Sequence, residues 1–387
     1  MSLAARKQQA AANWMKAEGC RHVRQTIARV HLDVFRQNVQ ALRKALGPAV
    51  KLMAVVKSNA YGHGLVQIAQ AAQEEQADFL AVALAEEGVI LRQAGITLPI
   101  LVLEGLSQAT TQQAVLYDLT LTVHTEAHLR YANEAAQAAG KTAHVHLKLD
   151  TGMNRIGVRD KAELPALLDL MYMMPRVRLK GVFTHFACAD SPDSTMTDAQ
   201  LVRFAEMLRL LPTGLLVHAS ASSAALVRED ARFSMVRAGI SLYGYPPVKT
   251  PVPLKPILSW ITEIIHVKEI GPGDSVSYGA TMTASHPMKV ATLAVGYGDG
   301  FHRVLSNKAQ VLIAGTRCRV LGTICMDQTM VDVSHVKDVK IGDIATLIGR
   351  DGDEEITADE LANLAGTISY EVLLSISSRV PRVYLNE

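Results

Sequence analysis

The chain has 387 residues, 49% hydrophobic and 20% charged, with a formal net charge of +2 at pH 7. That length and composition suit a globular chain of two domains, and so small a charge gives no electrostatic footprint for nucleic acid. Four cysteines (Cys20, Cys188, Cys318, Cys325) have no zinc-ligand spacing and are too few for a disulfide framework, so a reduced, cytoplasmic protein with no metal site is expected.

The first residues, MSLAARKQQAAANWMKAEGC, are alanine-rich but interrupted by Arg6, Lys7, Lys16 and Glu18. They contain no apolar h-region, so residues 1–22 read as an N-terminal extension rather than a secretory signal. No later stretch reaches the ~18 apolar residues of a membrane span, and no membrane partner is expected.

From about residue 50 short apolar runs alternate with longer amphipathic ones. KLMAVVK, DFLAVA, PILVLEG, LTLTVH, AHVHLKLD, VRLKGVFTHF, LLVHAS and SMVRAGISLYG read as strands. The segments between them, such as LVQIAQAAQEEQ, TEAHLRYANEAAQAAG and LVRFAEMLRLL, have the i, i+3, i+4 apolar spacing of helices. Eight such strands with crossover helices fit an α/β fold, a (β/α)8 TIM-like barrel over residues 23–245. An open doubly wound sheet is the rival, but the G-x-G-x-x-G turn is missing after the first strand.

After GYPP at 244–247 the texture changes to strand-like segments: ILSWITEIIHVKEI, SVSYGATMTA, KVATLAVGY, AQVLIAG, TRCRVLGTICMDQTMVDV and DIATLIGR. Only TADELANLAG reads as a helix there, with Thr357 as N-cap and Glu360 three residues on. Residues 246–387 are therefore expected to form a mainly β C-terminal domain.

A barrel of this kind carries its chemistry at the C-terminal ends of its strands. Those positions hold Lys57, then Lys148, Asp150 and Arg155, then His185, the serines of 220–223, and Arg237 with Gly239. Loops after strands seven and eight often bind phosphate. Here they offer hydroxyls and a glycine, beside a lysine that could form a Schiff base with an aldehyde cofactor. A lysine at a strand end is more often a salt-bridged surface group; the loop that follows Lys57, with Asn59, Tyr61, Gly62, His63 and Gly64, favours chemistry.

AVVKSNAYGHG, HLKLDTGMNRIG, FTHFA, VRAGISLYG, VSYGATM, VGYGDG and ICMDQ, in that order, resemble the alanine racemases from about Arg24 to Arg382. The resemblance implies a cofactor, pyridoxal 5'-phosphate, held as an imine by Lys57. It implies a homodimer with shared active sites, in which Tyr278 reaches in from the second subunit. Lys57 and Tyr278 would be the two catalytic bases, because inversion requires a proton to leave one face of the substrate and return on the other.

The same resemblance gives Arg237 as donor to the pyridine nitrogen and His185 as the histidine beside the ring. Tyr61, Ser223, Gly239, Ile240 and Tyr370 match phosphate contacts. Arg155 matches the arginine contacting cofactor and substrate carboxylate, and Lys148 the position often carboxylated to orient that arginine. Read without the family, Lys148 is a plain ion pair with Asp150. Met326 and Tyr297 match the second subunit's part of the substrate pocket.

The expected activity is interconversion of L- and D-alanine, supplying D-alanine for peptidoglycan. Serine or broad-specificity racemisation is an alternative, as is a non-catalytic cofactor-binding protein, although proteins of that kind resemble only the barrel half. Three positions depart from the pattern. Ser222 stands where many relatives have asparagine before the serine, Asn154 replaces a glycine or histidine, and Leu373-Leu374 occupies a place where proline often occurs.

Overall fold

The computed structural model describes residues 24–386, and the extension expected over 1–22 lies outside them. Two compact units are present, neither a single stretch of chain. One comprises Arg29–Leu258, Thr357–Ile376 and the residues from Arg382; the other comprises the described residues up to Ala28, Ser259–Ile356 and Ser377–Pro381.

In the first unit eight parallel strands form a barrel: β1 (Lys51–Val55), β2 (Phe79–Val82), β3 (Ile100–Gly105), β4 (Thr120–Val123), β5 (Ala143–Lys148), β6 (Val177–Phe183), β7 (Leu216–His218) and β8 (Met235–Ala238). Their order is β7-β6-β5-β4-β3-β2-β1-β8. The remaining seam, between β7 and β8, is joined by separate backbone bonds. Arg237 N–H donates to Ser220 O at 3.0 Å and Ser234 N–H to Val217 O at 3.2 Å. Strands covered on both sides should be largely apolar, and β4 and β8 are buried at every residue, Thr120, Thr122 and Arg237 included.

Helices return the chain between strands. α1 (Leu32–Leu46) buries Leu32, Phe35, Val39, Leu42 and Leu46, an i, i+3, i+4 stripe, and ends at Gly47 with φ 77°. Burying each large side chain of that stripe contributes about 1.5–3 kcal/mol. Further on come α2 (Leu65–Glu74), α3 (Ala85–Gln93), α4 (Gln108–Leu116), α5 (Glu126–Ala138), α6 (Leu164–Tyr172), α7 (Thr195–Leu208) and α8 (Ser222–Val227). α4 and α5 begin with side-chain caps, Ser107 accepting from Thr110 N–H and Thr125 from His128 N–H.

The second unit is antiparallel. It contains β9 (Leu258–Ile270), β10 (Ser275–Val276), β11 (Met282–Thr283), β12 (Met288–Leu293), β13 (Gln310–Ile313), β14 (Thr316–Arg319), β15 (Thr329–Asp332), β16 (Ile344–Asp351) and β17 (Glu354–Ile356). β9 pairs with both β12 and β16, β16 with β13 and β17, β13 with β14, and β12 with β15. SVSYGATMTA is a hairpin of two-residue strands whose tip, Tyr278–Ala280, is a 3-10 turn. TRCRVLGTICMDQTMVDV is broken by a loop between β14 and β15.

The helix expected at TADELANLAG is α9 (Ala358–Ala365), with Thr357 accepting from Glu360 N–H. A second helix follows, α10 (Ser369–Ser375), which contains Tyr370. The reading of α9 as the one helix after residue 247 is therefore corrected. Both helices belong to the barrel unit.

Candidate active site

Val55 ends β1 at the C-terminal rim of the barrel, and Lys57 follows two residues later. The next four residues, Ser58, Asn59, Ala60 and Tyr61, have φ of 55°, 53°, 52° and 53°, a left-handed turn made without glycine. Such a conformation costs roughly 1–2 kcal/mol per L-residue, so its surroundings must hold it. His63, fully buried, places Nδ1 2.9 Å from Tyr61 O and 3.0 Å from Ala60 O, and Arg382 Nε donates to Gly62 O at 2.9 Å. Asn59 Oδ1 accepts from Leu65 N–H at 2.9 Å, at the start of α2. Gly64 is required here: a Cβ would lie 1.9 Å from Tyr384 Oη, and φ is already +108°.

The Lys57 amine is more acidic than an ordinary lysine, first because burial disfavours its charge and next because Arg155 is near; Glu104 and Glu87 oppose the shift. Lys57 is thus a better nucleophile and proton acceptor at neutral pH than a surface lysine.

A hydroxyl-lined cradle lies where β8 ends. A Cβ on Gly239 would meet Tyr61 Oη at 2.4 Å, so this close approach demands glycine. Ser222 Oγ accepts from Gly239 N–H at 3.0 Å and Ser241 N–H at 3.3 Å, and lies 3.0 Å from Ser241 Oγ. With two N–H groups facing its lone pairs, Ser222 has a single O–H to direct at Ser241 Oγ or at a ligand. Ile240 opens the 3-10 turn Ile240–Tyr243 beside it. The Tyr370 ring lies 5.9 Å from that of Tyr61, and burial, then Asp190, pushes the Tyr370 phenol up to about 12. The structure thus brings Tyr61, Gly239, Ile240 and Tyr370 together, and with them Ser222; Ser223, half-buried, makes no such bond.

Arg237 is 3% exposed. Its Nη1 donates to His218 Nδ1 at 3.0 Å and His218 O at 3.1 Å. Its Nη2 is directed at Ala219 O (2.8 Å), Thr184 O (2.9 Å) and His185 Nδ1 (3.0 Å). Arginine only donates, so both imidazoles accept at Nδ1 and carry their proton on Nε2. His218 Nε2–H then donates to His146 Nδ1 at 2.9 Å, leaving His146 Nε2–H buried without a partner.

Burial, with Arg237 next, holds all three histidines neutral: His185 and His218 well below the usual range, and His146 pulled down to about 3. Burial also lowers the guanidinium, with Arg155 adding to it, yet Arg237 stays charged at neutral pH. No carboxylate pairs with it among the described residues, and no partner of its Nε–H is present there.

Lys148, 4% exposed at the end of β5, sits 4.5 Å over the Phe183 ring. Burial, then Arg237 and Arg155, lower its amine well below the ordinary value. The plain ion pair with Asp150 is not formed among the described residues: Asp150 Oδ1 instead accepts from Gly152 N–H and Asn154 N–H, both at 3.0 Å. Those bonds shape the loop toward exposed Arg155, with Asn154 at φ 56°, a left-handed conformation that glycine or asparagine adopts most readily.

In the second unit Tyr278 is 72% exposed, Met326 53% and Tyr297 41%. Their loops are tied together. Thr323 Oγ1 donates to Tyr278 O (2.8 Å), Tyr297 N–H to Cys325 O (3.0 Å) and Gly298 N–H to Met326 O (2.8 Å). Beneath the hairpin Val276, Met288, Val290 and Leu321 form a buried cluster. Among the described residues no group of three or more His, Cys, Asp or Glu could hold a metal.

These features place a lysine of lowered basicity, a hydroxyl cradle and an arginine with no carboxylate partner among the described residues at the C-terminal ends of the barrel strands, an arrangement that could hold a phosphate-bearing aldehyde cofactor. Residues 30–247 match the alanine racemase N-terminal domain and residues 257–384 the alanine racemase C-terminal domain. The alanine racemase of Symbiobacterium thermophilum is 45% identical over 372 residues, 94% of this chain and 98% of that protein. Alanine racemase 1 of Bacillus subtilis is 42% identical, covering 94% and 93%. A solved alanine racemase from Clostridium difficile 630 superimposes with a TM-score of 0.89 at 38% identity, covering 94% of this chain and 96% of that one. The chain belongs to the alanine racemase family and is an amino-acid racemase. The match to both domains sets aside a barrel-only binding protein.

Proposed function

We propose that this enzyme racemises alanine with pyridoxal 5'-phosphate, in the cytoplasm, as a homodimer with shared active sites. The observation that carries the reading is Arg237, buried and held by two imidazole acceptors and backbone carbonyls, with no carboxylate and no Nε–H acceptor among the described residues. The residues fit the cofactor. Tyr61, Ser222, Gly239, Ile240 and Tyr370 suit its phosphate, Arg237 its ring nitrogen, and Lys57 its aldehyde carbon. When bound, it draws electrons from the substrate Cα–H bond and so eases proton loss.

Arg237 would hydrogen-bond the ring nitrogen without giving up its proton, and so would leave that nitrogen uncharged and the electron withdrawal moderate. Lys57 Nζ takes or returns the proton on one face of the substrate. Tyr278 Oη, offered by a second subunit, serves the other, in keeping with its exposure. Arg155 holds the substrate carboxylate, oriented by a carboxylated Lys148. Met326 and Tyr297 of the second subunit close the pocket.

Purified protein incubated with a panel of L-amino acids, followed by chiral chromatography, tests this. Alanine is expected to give the highest kcat/KM. A hydroxyl shifts binding by only ~1–3 kcal/mol in a small pocket, so serine is the informative competitor, and serine turnover exceeding that of alanine would overturn the substrate assignment.

A further inference from the structure

We propose that Glu87 is a positioning residue of the racemase, its carboxylate holding the left-handed turn that carries Lys57. The proposal rests on the reading of Lys57 as the reactive amine. Glu87 lies in the first turn of α3, after β2. Its Oε1 accepts from Ser58 N–H at 2.6 Å and Asn59 N–H at 3.3 Å. Its Oε2 accepts from Ala83 N–H at 3.0 Å and Leu84 N–H at 3.3 Å. A carboxylate has about four acceptor sites, and all are filled by backbone donors from the loops after two adjacent barrel strands.

Ordinary capping of α3 explains the Oε2 pair but not the Oε1 pair, which lies across on the neighbouring loop. The left-handed turn needs such an acceptor. Its leading N–H groups belong to the first two residues with positive φ, and helix-start donors have no partner within their own turn. The far end of the turn is gripped separately, by His63 and Arg382. Glu87 is thus the anchor next to Lys57 itself, and hydrogen bonds to a charged acceptor are among the stronger ones available. Losing them would let Ser58 and Asn59 relax toward ordinary φ and displace the lysine Nζ.

The test is amide hydrogen exchange of the segment 57–65 in the enzyme as purified, with steady-state kinetics, for wild type, Glu87→Ala and Glu87→Gln. In Glu87→Ala exchange at Ser58 and Asn59 should quicken about tenfold or more, and kcat should fall by a similar factor while KM for alanine stays within about twofold. Glu87→Gln, keeping one carbonyl oxygen, should fall between that variant and wild type, and it decides alone if the alanine variant does not fold. Exchange unchanged in both variants overturns the proposal, as does faster exchange with unchanged kcat. Borohydride reduction and peptide mapping separate the two readings. Cofactor fixed on another lysine removes the Lys57 assignment, while exchange at Ser58 and Asn59 still reports whether Glu87 holds the turn.

Discussion

Replacing Ser222 and Ser223 singly by alanine separates two neighbouring hydroxyls that the sequence cannot tell apart. Ser222 is buried and accepts two backbone N–H groups, from Gly239 and Ser241. Ser222→Ala leaves those donors unsatisfied, at about 1–3 kcal/mol, and removes an O–H that a bound phosphate could accept, where a bond to a charged group is worth roughly 1.5–3 kcal/mol. The first cost falls on the empty site, and its partial recovery when a phosphate oxygen takes the freed N–H groups offsets part of the lost O–H bond, so a net weakening of about 1–2 kcal/mol is expected. That is about 5- to 30-fold in cofactor affinity. Ser223→Ala removes no such bond and should change affinity by less than about threefold. Titrating apo protein with pyridoxal phosphate, followed by absorbance, measures both. A greater loss in Ser223→Ala than in Ser222→Ala would refute the register derived from the Gly239 bonds.

Lys148, buried and making no ion pair among the described residues, should carry a carboxyl adduct. Labelled bicarbonate should give a carbamate carbon-13 signal that Lys148→Ala lacks, and an unmodified amine at neutral pH would end the idea. Lys57→Ala and Tyr278→Ala should each be inactive. Mixed under conditions of subunit exchange they should recover up to about a quarter of wild-type activity per site, because random pairing gives some dimers one intact shared site; no recovery would place both bases on one chain. Acid should destabilise the barrel early. His63 and His146 are pulled down to about 4 and about 3 by burial, so the native state resists protons that the unfolded chain accepts near 6.5. Their stabilisation is complete above pH 6.5 and is lost as pH falls toward their folded values, at about 2 kcal/mol each by pH 5. A urea midpoint unchanged between pH 7.5 and 5 would contradict this.

Much of the fold is legible in the sequence because barrel strands covered on both faces leave continuous apolar runs such as LMAV and FLAV. The hairpin at Tyr278 and the loop at Met326 are less so. Their residues have strand-like composition, but positive φ at Ser277, Gly279 and Ala280 turns the hairpin, and Gly322 at φ 71° opens the other loop. α10 escapes notice because seven residues carry less than two helical turns of periodicity. In the site, Lys57, Arg237 and Tyr278 can be placed by motif, whereas Glu87 belongs to no motif, and its N-cap neighbour is a leucine rather than a serine or threonine. His146 had a signal: two residues before Lys148 on β5 it shares that lysine's face of the strand. His218, ending β7 as His185 follows β6, had one too.

The three imidazoles behind Arg237 form an insulator rather than a conductor. Every Nδ1 lone pair is taken, by Arg237 or by the neighbouring Nε2–H, and His146 ends the series with a hydrogen that has nowhere to go. A proton arriving from the site side finds no vacant lone pair to enter. The series therefore offers no proton path inward from Arg237, and hydrogen exchanged at Lys57 would leave by the mouth of the barrel instead.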